Sequence, residues 1–488
     1  MCYFMKDIKL LDIYNLEFIK NNNIIIYGAG KYGDYLYSLL DLKGFGQNVI
    51  CFAVSDKEGN PDIFHQKQVR AIGELREELK DAIVIIAIRS ICGLAETLQN
   101  YAVKDIYRVS EKVMEDVTEE IITESRKLPL EKNKVLFSNY DGMGYGGNCK
   151  YIAETFIQGQ YPVKLVWAVS NRDIQDIPGE IEKVLIGTPQ YYRELFTSGV
   201  YVTNTVHHLY EQKKMGQFYI NTWHGYGPFK LAEGDVNRDA ESRARYRESN
   251  AASDLFITAS RFYTQVYRTS FFYEGEIMEC GAPRNDVFFT DCNIKDSVYK
   301  KLGIPSDRNM LLYAPTFRED TGHSFQKYDI DMKCVLGALE QRFGGAYILV
   351  YRFHHYLYAL GMSQNFYVGA IDATYYPDIQ ELLVAADVVI TDYSSLMWDF
   401  SLQGRPVFLY QNDEKNYESD RGFYSPVSEW PYPKAHSQDE LVDVIIHFDS
   451  GRYRKDLDRF LEKYGSCDDG HASERVVQRI MDEMDKDM

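Results

Sequence analysis

The feature that most restricts the fold is an unbroken apolar run at residues 24–27, which leads into a glycine turn and then into a helical pattern. A run without polar alternation is typical of a parallel β-strand that is buried on both faces. Gly28, Gly30 and Gly33 form GxGxxG between this strand and the helix, and Asp56 ends the next predicted strand. This order of elements predicts a small Rossmann-like unit at the beginning of the chain.

Two interpretations of these glycines stand side by side. In the first, Gly28, Gly30, Gly33 and Asp56 form a nucleotide site, with phosphates at the glycine turn and a ribose at the carboxylate. In the second, the glycines permit a tight turn and close helix packing, and no ligand binds. The sequence does not decide between them, so the ligand and the role of this unit stay open.

Similar apolar runs recur along the rest of the chain, separated by stretches long enough for helices. They lie at residues 82–88, 135–137, 163–170, 199–205, 217–225, 310–315, 346–352, 387–392 and 406–411. Strands that alternate with helices predict an α/β fold with parallel sheets, here two doubly wound domains after the first unit. The charged stretch 110–132 predicts a helical linker with few core positions.

Composition excludes several classes of protein. The 488 residues are 45% hydrophobic and carry a formal net charge of −18, which suits a globular chain of about two or three domains and argues against a nucleic-acid partner. The eight cysteines are scattered without metal-ligand spacing, so neither disulfides nor zinc are expected. Because the sequence shows no uncharged apolar run of about 18 residues and no signal-peptide pattern, we expect a cytoplasmic protein.

The motif VVITDYSS carries the first candidate site for an anion. Its predicted strand delivers Ser394 and Ser395 to the first turn of a helix. Backbone amides, the helix dipole and two hydroxyl groups at such a place favour a phosphate or pyrophosphate. The alternative is that Asp392 or Ser394 simply caps the helix, as happens at most helix starts.

The motif TWHG places His224 directly after an apolar strand and before a glycine-containing loop. A histidine at the end of a strand in a parallel-sheet protein is positioned to act as a general base near neutral pH. Taken alone, such a histidine is more often structural.

The motif YRFHHY ends another strand with Arg352, His354 and His355. Because side chains alternate along a strand, Arg352 and His354 point the same way and His355 points away from them. The pair could hold a diphosphate and stabilise its leaving group, or form a surface salt-bridge cluster. Two more loops contribute Arg318 and Arg284, each either a phosphate ligand or a partner of the acidic residues beside it.

Taken in order, these motifs resemble the CDP-glycerol glycerophosphotransferase family of teichoic-acid polymerases and primases. The series is TWHG, ITASRFYTQVYRTSFF, GAPRND, YAPTFRED, YRFHHY, DIQELLVAADVVITDYSSLMWDFSLQGRPVFLY and RGFYSP, within roughly residues 134–465. The resemblance implies two lobes of the glycosyltransferase B type, with His224 and His354 as catalytic residues. It implies a donor-binding and phosphate-binding set of Arg318, Arg352, Asp392, Ser394, Ser395 and Arg421.

The sequence pattern and the resemblance together divide the chain into predicted domains, of which the first lies outside the resemblance. These are a Rossmann-like accessory domain at 1–115, a linker at 116–133, an acceptor-side lobe at 134–292, and a CDP-donor lobe with a C-terminal helix at 293–488. One departure concerns TWHGYGPFK, which is one residue longer before Lys230 than the usual TWHGTPLK of the family. This departure predicts a reshaped acceptor side.

The activity that the resemblance implies is transfer of a polyol-phosphate unit from CDP-glycerol or CDP-ribitol to a teichoic-acid-like or capsular acceptor, with release of CMP. No cofactor is expected to be required, and magnesium on the donor diphosphate is left as an option. The acceptor is expected to be a lipid-linked glycan or polyol phosphate, which leaves contact with the inner face of the cell membrane open. The alternatives are a glycosyltransferase or epimerase that uses a nucleotide sugar, and a non-catalytic nucleotide-binding scaffold.

Overall fold

A computed structural model describes most of the chain, at residues 8–89, 94, 98, 103, 105–171, 173–174, 176–206, 213–232, 234–236, 239–290, 293–316, 330–353 and 367–486. The chain forms two compact units. Unit 1 consists of Met1–Glu131, Val184–Ser198 and Lys214–Gly216. Unit 2 consists of Lys132–Lys183, Gly199–Lys213 and Gln217–Met488.

The strands and helices are numbered along the chain. The strands are β1 Ile8–Leu10, β2 Asn23–Tyr27, β3 Val49–Val54, β4 Ile63–Phe64, β5 Lys67–Ala71, β6 Ala82–Ile86, β7 Asp105–Arg108, β8 Glu131–Ser138, β9 Lys164–Val169, β10 Glu182–Leu185, β11 Ser198–Thr203, β12 Phe218–Asn221, β13 Leu255–Thr258, β14 Glu276–Glu279, β15 Arg308–Tyr313, β16 Ala346–Tyr351, β17 Ile371–Asp372, β18 Val388–Thr391, β19 Val407–Tyr410 and β20 Lys434–Ala435. The α-helices are α1 Lys31–Leu42, α2 Glu78–Asp81, α3 Glu111–Lys127, α4 Gly147–Gln158, α5 Pro189–Thr197, α6 Ala240–Ala251, α7 Arg261–Thr269, α8 Ile294–Leu302, α9 Met332–Phe343, α10 Ile379–Ala385, α11 Leu396–Ser401, α12 Glu414–Asp420, α13 Gln438–Ile446, α14 Ser450–Tyr464 and α15 Ala472–Asp485.

Unit 1 is built on a seven-stranded sheet with the order β1-β7-β6-β2-β3-β5-β4. Strand β2 pairs in parallel with β3 on one side and with β6 on the other. The chain thus moves outward from β2 through β3 and β5, then returns to the other side of β2 through β6 and β7. This is the strand order of a Rossmann-like unit, and it creates a switch point beside β2.

The charged stretch 110–132 does form a helix, α3, but this helix is more than a linker. Its Met114, Val117 and Ile121 are buried in the core of unit 1. The spacing i, i+3, i+7 places all three on one face, which contacts the core while the charged residues face outward. Helix α3 packs against α1 and α5 within unit 1.

Two further sheets lie mainly in unit 2 and are built largely from parallel strands. The second sheet has the order β10-β9-β8-β11-β12-β13-β14, and the third has the order β17-β16-β15-β18-β19-β20. One hydrophobic core runs from the second-sheet region, at Phe256 for example, to the third-sheet region, at Leu312. These two regions confirm the predicted α/β architecture of paired doubly wound domains.

In the third-sheet region, one helix begins and another ends near the residues that the sequence indicated. Helix α10 follows Pro377, and the side chain of Asp378 caps it by accepting from the amide of Gln380. Gly404 follows α11 with a φ of +62°, a left-handed conformation that glycine adopts without strain. Within the part of the chain that the structure describes, no helix is both long and apolar enough to cross a membrane.

Candidate active site

His224 lies in the loop after β12, next to Trp223, whose φ of +50° is unusual for a residue other than glycine. The imidazole Nδ1 is 2.7 Å from the backbone carbonyl oxygen of Asn204. Because a carbonyl oxygen can only accept a hydrogen bond, the neutral ring carries its proton on Nδ1 and leaves Nε2 as the basic nitrogen. The local fold therefore selects the tautomer that a general base at Nε2 requires.

Asn204, directly after β11, organises the surroundings of this imidazole. Its Oδ1 accepts from the backbone amide of Tyr140 (2.7 Å), and its Nδ2 donates to Oδ1 of Asn139 (2.8 Å). The ring of Tyr140 lies with its centroid 5.2 Å from that of His224, and the ring of Trp223 lies at 4.1 Å. Two aromatic rings and one carbonyl oxygen thus restrict the orientation of the imidazole. Sequence reasoning missed Asn204, whose only signal was its position at a strand end.

The electrostatic environment keeps His224 neutral. The pKa of His224 is lowered from 6.5 to about 4, chiefly by burial and also by the nearby cations Lys230 and Arg284, while the hydrogen bond to Asn204 opposes this shift. The imidazole is therefore uncharged at neutral pH and able to accept a proton. A histidine in this state can act as a base but is a poor source of positive charge for a phosphate.

A cavity of about 390 Å³ opens beside His224. Lys230 lines it from the same loop, and Ser395 and Arg421 line it from the third-sheet region. The carboxylate of Asp141 also lines the cavity, so the two cationic side chains leave one positive charge in excess. With a hydroxyl group and a neutral imidazole beside them, they suit an anionic, phosphorylated substrate. The structure thus brings together three residues that the sequence proposed separately: His224, Ser395 and Arg421.

Backbone pairing between two sequence motifs carries Arg421 to this cavity. Lys230, at the end of TWHGYGPFK, forms an antiparallel bridge with Phe423 of RGFYSP. The amide of Leu231 donates to the carbonyl oxygen of Gly422 (3.1 Å). Because Arg421 directly precedes this pairing, the position of its backbone is fixed relative to the loop that carries His224.

The serines of VVITDYSS have different positions. A Cβ atom at Gly225 would lie 3.3 Å from Oγ of Ser395, so the loop of His224 passes close to this hydroxyl group. Oγ of Ser394 instead accepts from the amide of Leu396 at 3.4 Å, and Ser394 is not among the residues that line the cavity.

Helix α11 is also less suited to an anion than the sequence suggested. It has only six residues, and the amides of Met397 and Trp398 donate to the carbonyl oxygens of Ser394 and Ser395. Amides that already have acceptors within the turn contribute little to a phosphate site. Positive potential at this cavity comes instead from the side chains of Lys230 and Arg421.

Asp392 neither caps α11 nor lines the cavity. Its Oδ1 accepts from the backbone amide of Thr316 (2.9 Å) and from that of Tyr393 (2.6 Å). The carboxylate is buried and joins the residues after β15 to those after β18. Its role in the structure is therefore to hold two strand-end loops together.

Arg352 and its neighbours are only partly described. Nη1 of Arg352 donates to the carbonyl oxygen of Tyr376 (2.7 Å), and burial lowers the pKa of this guanidinium. Arg352 does not line the cavity at His224. His354 and Arg318 lie outside the described residues, so their assignment stays a prediction.

Arg284 is engaged in a buried ion pair. Its Nη2 lies 2.8 Å from Oδ2 of Asp399, and its Nη1 donates to the carbonyl oxygen of His224 (3.0 Å). Asn285 and Gln380 donate to the two oxygens of the same carboxylate. The expectation that Arg284 binds phosphate or pairs with its sequence neighbours is wrong, because its acidic partner comes from α11. The pair links the third-sheet region to the backbone of the His224 loop.

Within the described ranges, no group of three or more histidine, cysteine, aspartate or glutamate side chains is arranged to hold a metal ion.

Paired parallel-sheet domains, with a basic cavity where their loops meet, define an α/β protein of the glycosyltransferase B type. A family model described as CDP-Glycerol:Poly(glycerophosphate) glycerophosphotransferase matches residues 121–482. The chain therefore belongs to this family, as its motifs indicated. The first 120 residues lie outside the match.

Curated relatives include polymerases of teichoic acid. The teichoic acid poly(glycerol phosphate) polymerase of Staphylococcus epidermidis is 33% identical over 71% of this chain and 50% of that protein. The protein of the same description from Bacillus subtilis is 27% identical over 78% of this chain and 52% of its own length. The chain thus spans about half the length of these relatives. A teichoic acid glycerol-phosphate transferase of Staphylococcus aureus is 26% identical over 72% of this chain and 94% of its own length.

Solved structures of a relative confirm the fold. The wall teichoic acid polymerase TagF superposes with a TM-score of 0.68 at 27% identity, covering 77% of this chain and 96% of that one. A structure of a TagF variant soaked with CDPG gives the same TM-score at 28% identity, covering 76% of this chain and 94% of that one.

Proposed function

We propose that this chain transfers a glycerol-phosphate unit from CDP-glycerol to a teichoic-acid-like or capsular acceptor and releases CMP. The family match and the teichoic acid polymerases among its relatives support this assignment. The observation that carries it is the cavity in which a neutral His224, with Nε2 as its basic nitrogen, lies beside Lys230, Arg421 and Ser395. CDP-ribitol is the alternative donor of the same chemical class.

In the proposed reaction, a hydroxyl group of the acceptor attacks the β-phosphorus of CDP-glycerol. His224 Nε2 takes the proton of that hydroxyl group as the new P–O bond forms. The bond between the β-phosphorus and the bridging oxygen breaks, and CMP leaves with its electron pair. Lys230 and Arg421 stabilise the negative charge on the diphosphate, and the hydroxyl group of Ser395 donates to one of its oxygens.

The rest of the proposed machinery rests on the family resemblance. His354 and Arg352 act on the leaving group, and Arg318 contacts the donor phosphates. In this proposal, residues 134–292 form the acceptor-side lobe and 293–488 the donor lobe, with 1–115 as an accessory domain. Most of the predicted linker, 116–133, belongs to helix α3, which packs into the core of unit 1. The acceptor is linked to a lipid, and the protein works in the cytoplasm at the inner face of the membrane.

A donor panel tests the proposal directly. The purified chain is incubated with a glycerol-phosphate-primed acceptor and CDP-glycerol, CDP-ribitol or UDP-N-acetylglucosamine, and the released nucleotide is separated by chromatography. Mass spectrometry of the acceptor then shows which unit was added. We expect CMP and an acceptor heavier by one or more glycerol-phosphate units. Release of UDP alone, or of no nucleotide with any donor, would overturn the assignment.

The role of His224 is tested by His224→Ala, with His447→Ala as the matched control. His447 lies at the end of α13, and its Nδ1 also contacts a backbone carbonyl oxygen, that of Asp443 (3.0 Å). His224→Ala should lower kcat by about 10²–10⁴-fold, the usual contribution of a general base, with an unchanged melting temperature. The control should retain full turnover. Near-normal turnover in His224→Ala would remove this residue from the mechanism.

A further inference from the structure

Unit 1 contains a cavity of its own, with a volume of about 1290 Å³. Its lining comes from the ends of three neighbouring strands, at Gly28 after β2, Asp56 after β3 and Arg89 after β6. Tyr192 of α5, which also belongs to unit 1, completes one side. The strand-end residues lie before the part of the chain that matches the transferase family, so the family assignment does not account for this cavity.

The cavity lies at the switch point of the sheet, beside the end of β2. Strand β2 lies between β3 and β6, and the chain runs outward from β2 in opposite directions through them. In open α/β sheets, ligands bind outside the carboxyl ends of the strands where the strand order reverses. Residues 27–30, 54–56 and 87–89 are the carboxyl-end residues at that point.

The three glycines of GxGxxG differ in whether the fold itself requires a glycine at that position. Gly28 has a φ of +123°, and a Cβ atom there would lie 2.6 Å from the carbonyl oxygen of Ala87. A Cβ atom on Gly33 would lie 2.0 Å from the carbonyl oxygen of Gly28. Packing and backbone conformation therefore require both of these glycines, whether or not a ligand binds.

Neither backbone conformation nor packing requires a glycine at position 30. Its φ of −108° and ψ of −160° are extended values that any residue adopts, and a Cβ atom there would meet no atom within 4 Å. Gly30 nevertheless lines the cavity. A side chain at this position would occupy space that is open in the protein alone, so the absence of one leaves room for a ligand to approach the backbone.

The charges around the cavity fit a diphosphate at this turn. Gly30 is the N-cap of the twelve-residue helix α1, and it has no side chain to accept from the first amides of the helix. A helix start of this kind favours an anion. The cavity lining carries charges of both signs: Lys31 and Arg89 are cationic, and the carboxylates are those of Asp56, Glu58, Glu111 and Glu115. Arg89 forms an exposed ion pair with Glu111, at 3.4 Å, which contributes little energy. Lys31, directly after Gly30, is therefore the cation at the glycine turn itself.

Asp56 fits the other end of such a ligand. Its side chain is exposed at the end of β3, and Oδ1 accepts from the amide of Glu58 (3.1 Å). A carboxylate has further acceptor sites, which two neighbouring hydroxyl groups of a ribose can fill. The same negative charge repels a phosphate group on the ribose.

We propose that unit 1 binds a ligand that contains a ribonucleoside diphosphate, with the diphosphate over Gly28, Gly30 and Lys31 and the ribose hydroxyl groups on Asp56. The site recognises an unmodified ribose and discriminates against 2′-deoxy and 2′-phosphorylated forms. Nucleotide sugars and dinucleotides share this chemistry. The proposal is independent of the transferase reaction, because none of these residues lines the cavity at His224.

Calorimetry on the full chain tests this site with ADP, UDP and NADH, and with their counterparts 2′-deoxy-ADP, 2′-deoxy-UDP and NADPH, which together separate base, dinucleotide and ribose preferences. We expect at least one of the first three to bind with a stoichiometry of one. Its 2′-deoxy or 2′-phosphorylated counterpart should bind about tenfold or more weakly, since a hydrogen bond to a charged group is lost. Failure of all ribonucleoside diphosphates to bind at millimolar concentration would overturn the proposal.

Two variants locate the binding. Gly30→Val fills the space that the glycine leaves open, in a backbone conformation that valine accepts, and Asp56→Asn removes the charge. Both should weaken binding about tenfold or more while the melting temperature and CMP release stay unchanged. Gly179→Val is the matched control, because a Cβ atom at this unit 2 glycine also meets no atom within 4 Å. Equal binding by wild type, Gly30→Val and Asp56→Asn would place the ligand elsewhere and refute the site.

Discussion

The pH dependence of turnover gives a sharp test of the environment of His224. Burial lowers the pKa of His224 from 6.5 to about 4. At pH 5, a histidine with the ordinary pKa is only about 3% neutral, whereas one with a pKa of about 4 is about 90% neutral. Because only the neutral ring accepts a proton, kcat/KM at pH 5 should stay near nine-tenths of its plateau. With an ordinary histidine as the base, it would fall about 30-fold.

The assay is CMP release from CDP-glycerol at subsaturating donor between pH 4 and pH 8, since kcat/KM reports the groups of the free enzyme. An NMR titration of the Cε1 proton of His224, assigned by comparison with His224→Gln, measures the same ionisation without turnover. The acid limb is the part of the pH profile in which kcat/KM falls as the pH is lowered. An acid limb with its midpoint near pH 6.5, or an NMR midpoint near pH 6.5, would refute the inference that burial keeps this ring neutral.

A charge substitution tests the cause of the shift. Lys230 is one of the cations that lower the pKa of His224, so Lys230→Gln should move the acid limb to higher pH. Lys463→Gln is the matched control, because Lys463 is an exposed lysine that pairs with Glu429. It should leave the limb in place. The same position of the limb in both variants would show that Lys230 does not influence the base.

Three further predictions concern residues around the site. Arg284→Met should lower the free energy of unfolding by about 3–5 kcal/mol in urea denaturation, because the carboxylate of Asp399 loses its buried cationic partner. Adding Asp399→Leu should restore much of the lost stability. Wild-type stability in the Arg284→Met variant would contradict this prediction. Arg421→Gln should raise KM for CDP-glycerol about 10–100-fold by removing a charged donor to the diphosphate, and an unchanged KM would exclude that contact. Burial raises the pKa of Asp468 from 3.8 to about 7. Between about pH 4 and pH 7, this carboxyl group is therefore protonated in the folded state and ionised in the unfolded state. Because the unfolded state is favoured by losing the proton, the free energy of unfolding should fall as pH rises through this range. Asp468→Asn should flatten this fall in urea melts at pH 5 and pH 7.5, and an equal slope in both proteins would contradict the shift.

Much of the fold could be predicted from short-range patterns. Each buried strand is marked by an apolar run, as at 24–27 and 388–391, because a strand covered on both faces excludes polar side chains whatever its neighbours are. Glycines at positive φ, such as Gly28 and Gly404, are marked by their residue type for the same local reason. Order and spacing of the motifs then indicated the family, which the match over residues 121–482 confirmed.

Helix α3 contributes more to the core than its charged sequence predicted. Its abundant charge suggested a linker, yet Met114, Val117 and Ile121 recur at helical spacing among the charged residues and are buried. The helical spacing of these residues is visible in the sequence. The segment that buries them is not, because the surface that covers the apolar face of α3 includes α5, about seventy residues further along the chain.

The sequence by itself determined the α/β class, the buried strands, the family, and the residue types that meet at the cavity: a histidine, a serine and an arginine. Tertiary structure alone decided which nitrogen of His224 is basic, through the carbonyl oxygen of Asn204, and gave Arg284 its partner Asp399. The physical reason is that strands and turns depend on neighbouring residues, whereas a tautomer or a buried ion pair depends on which distant groups the packed lobes bring within hydrogen-bond distance.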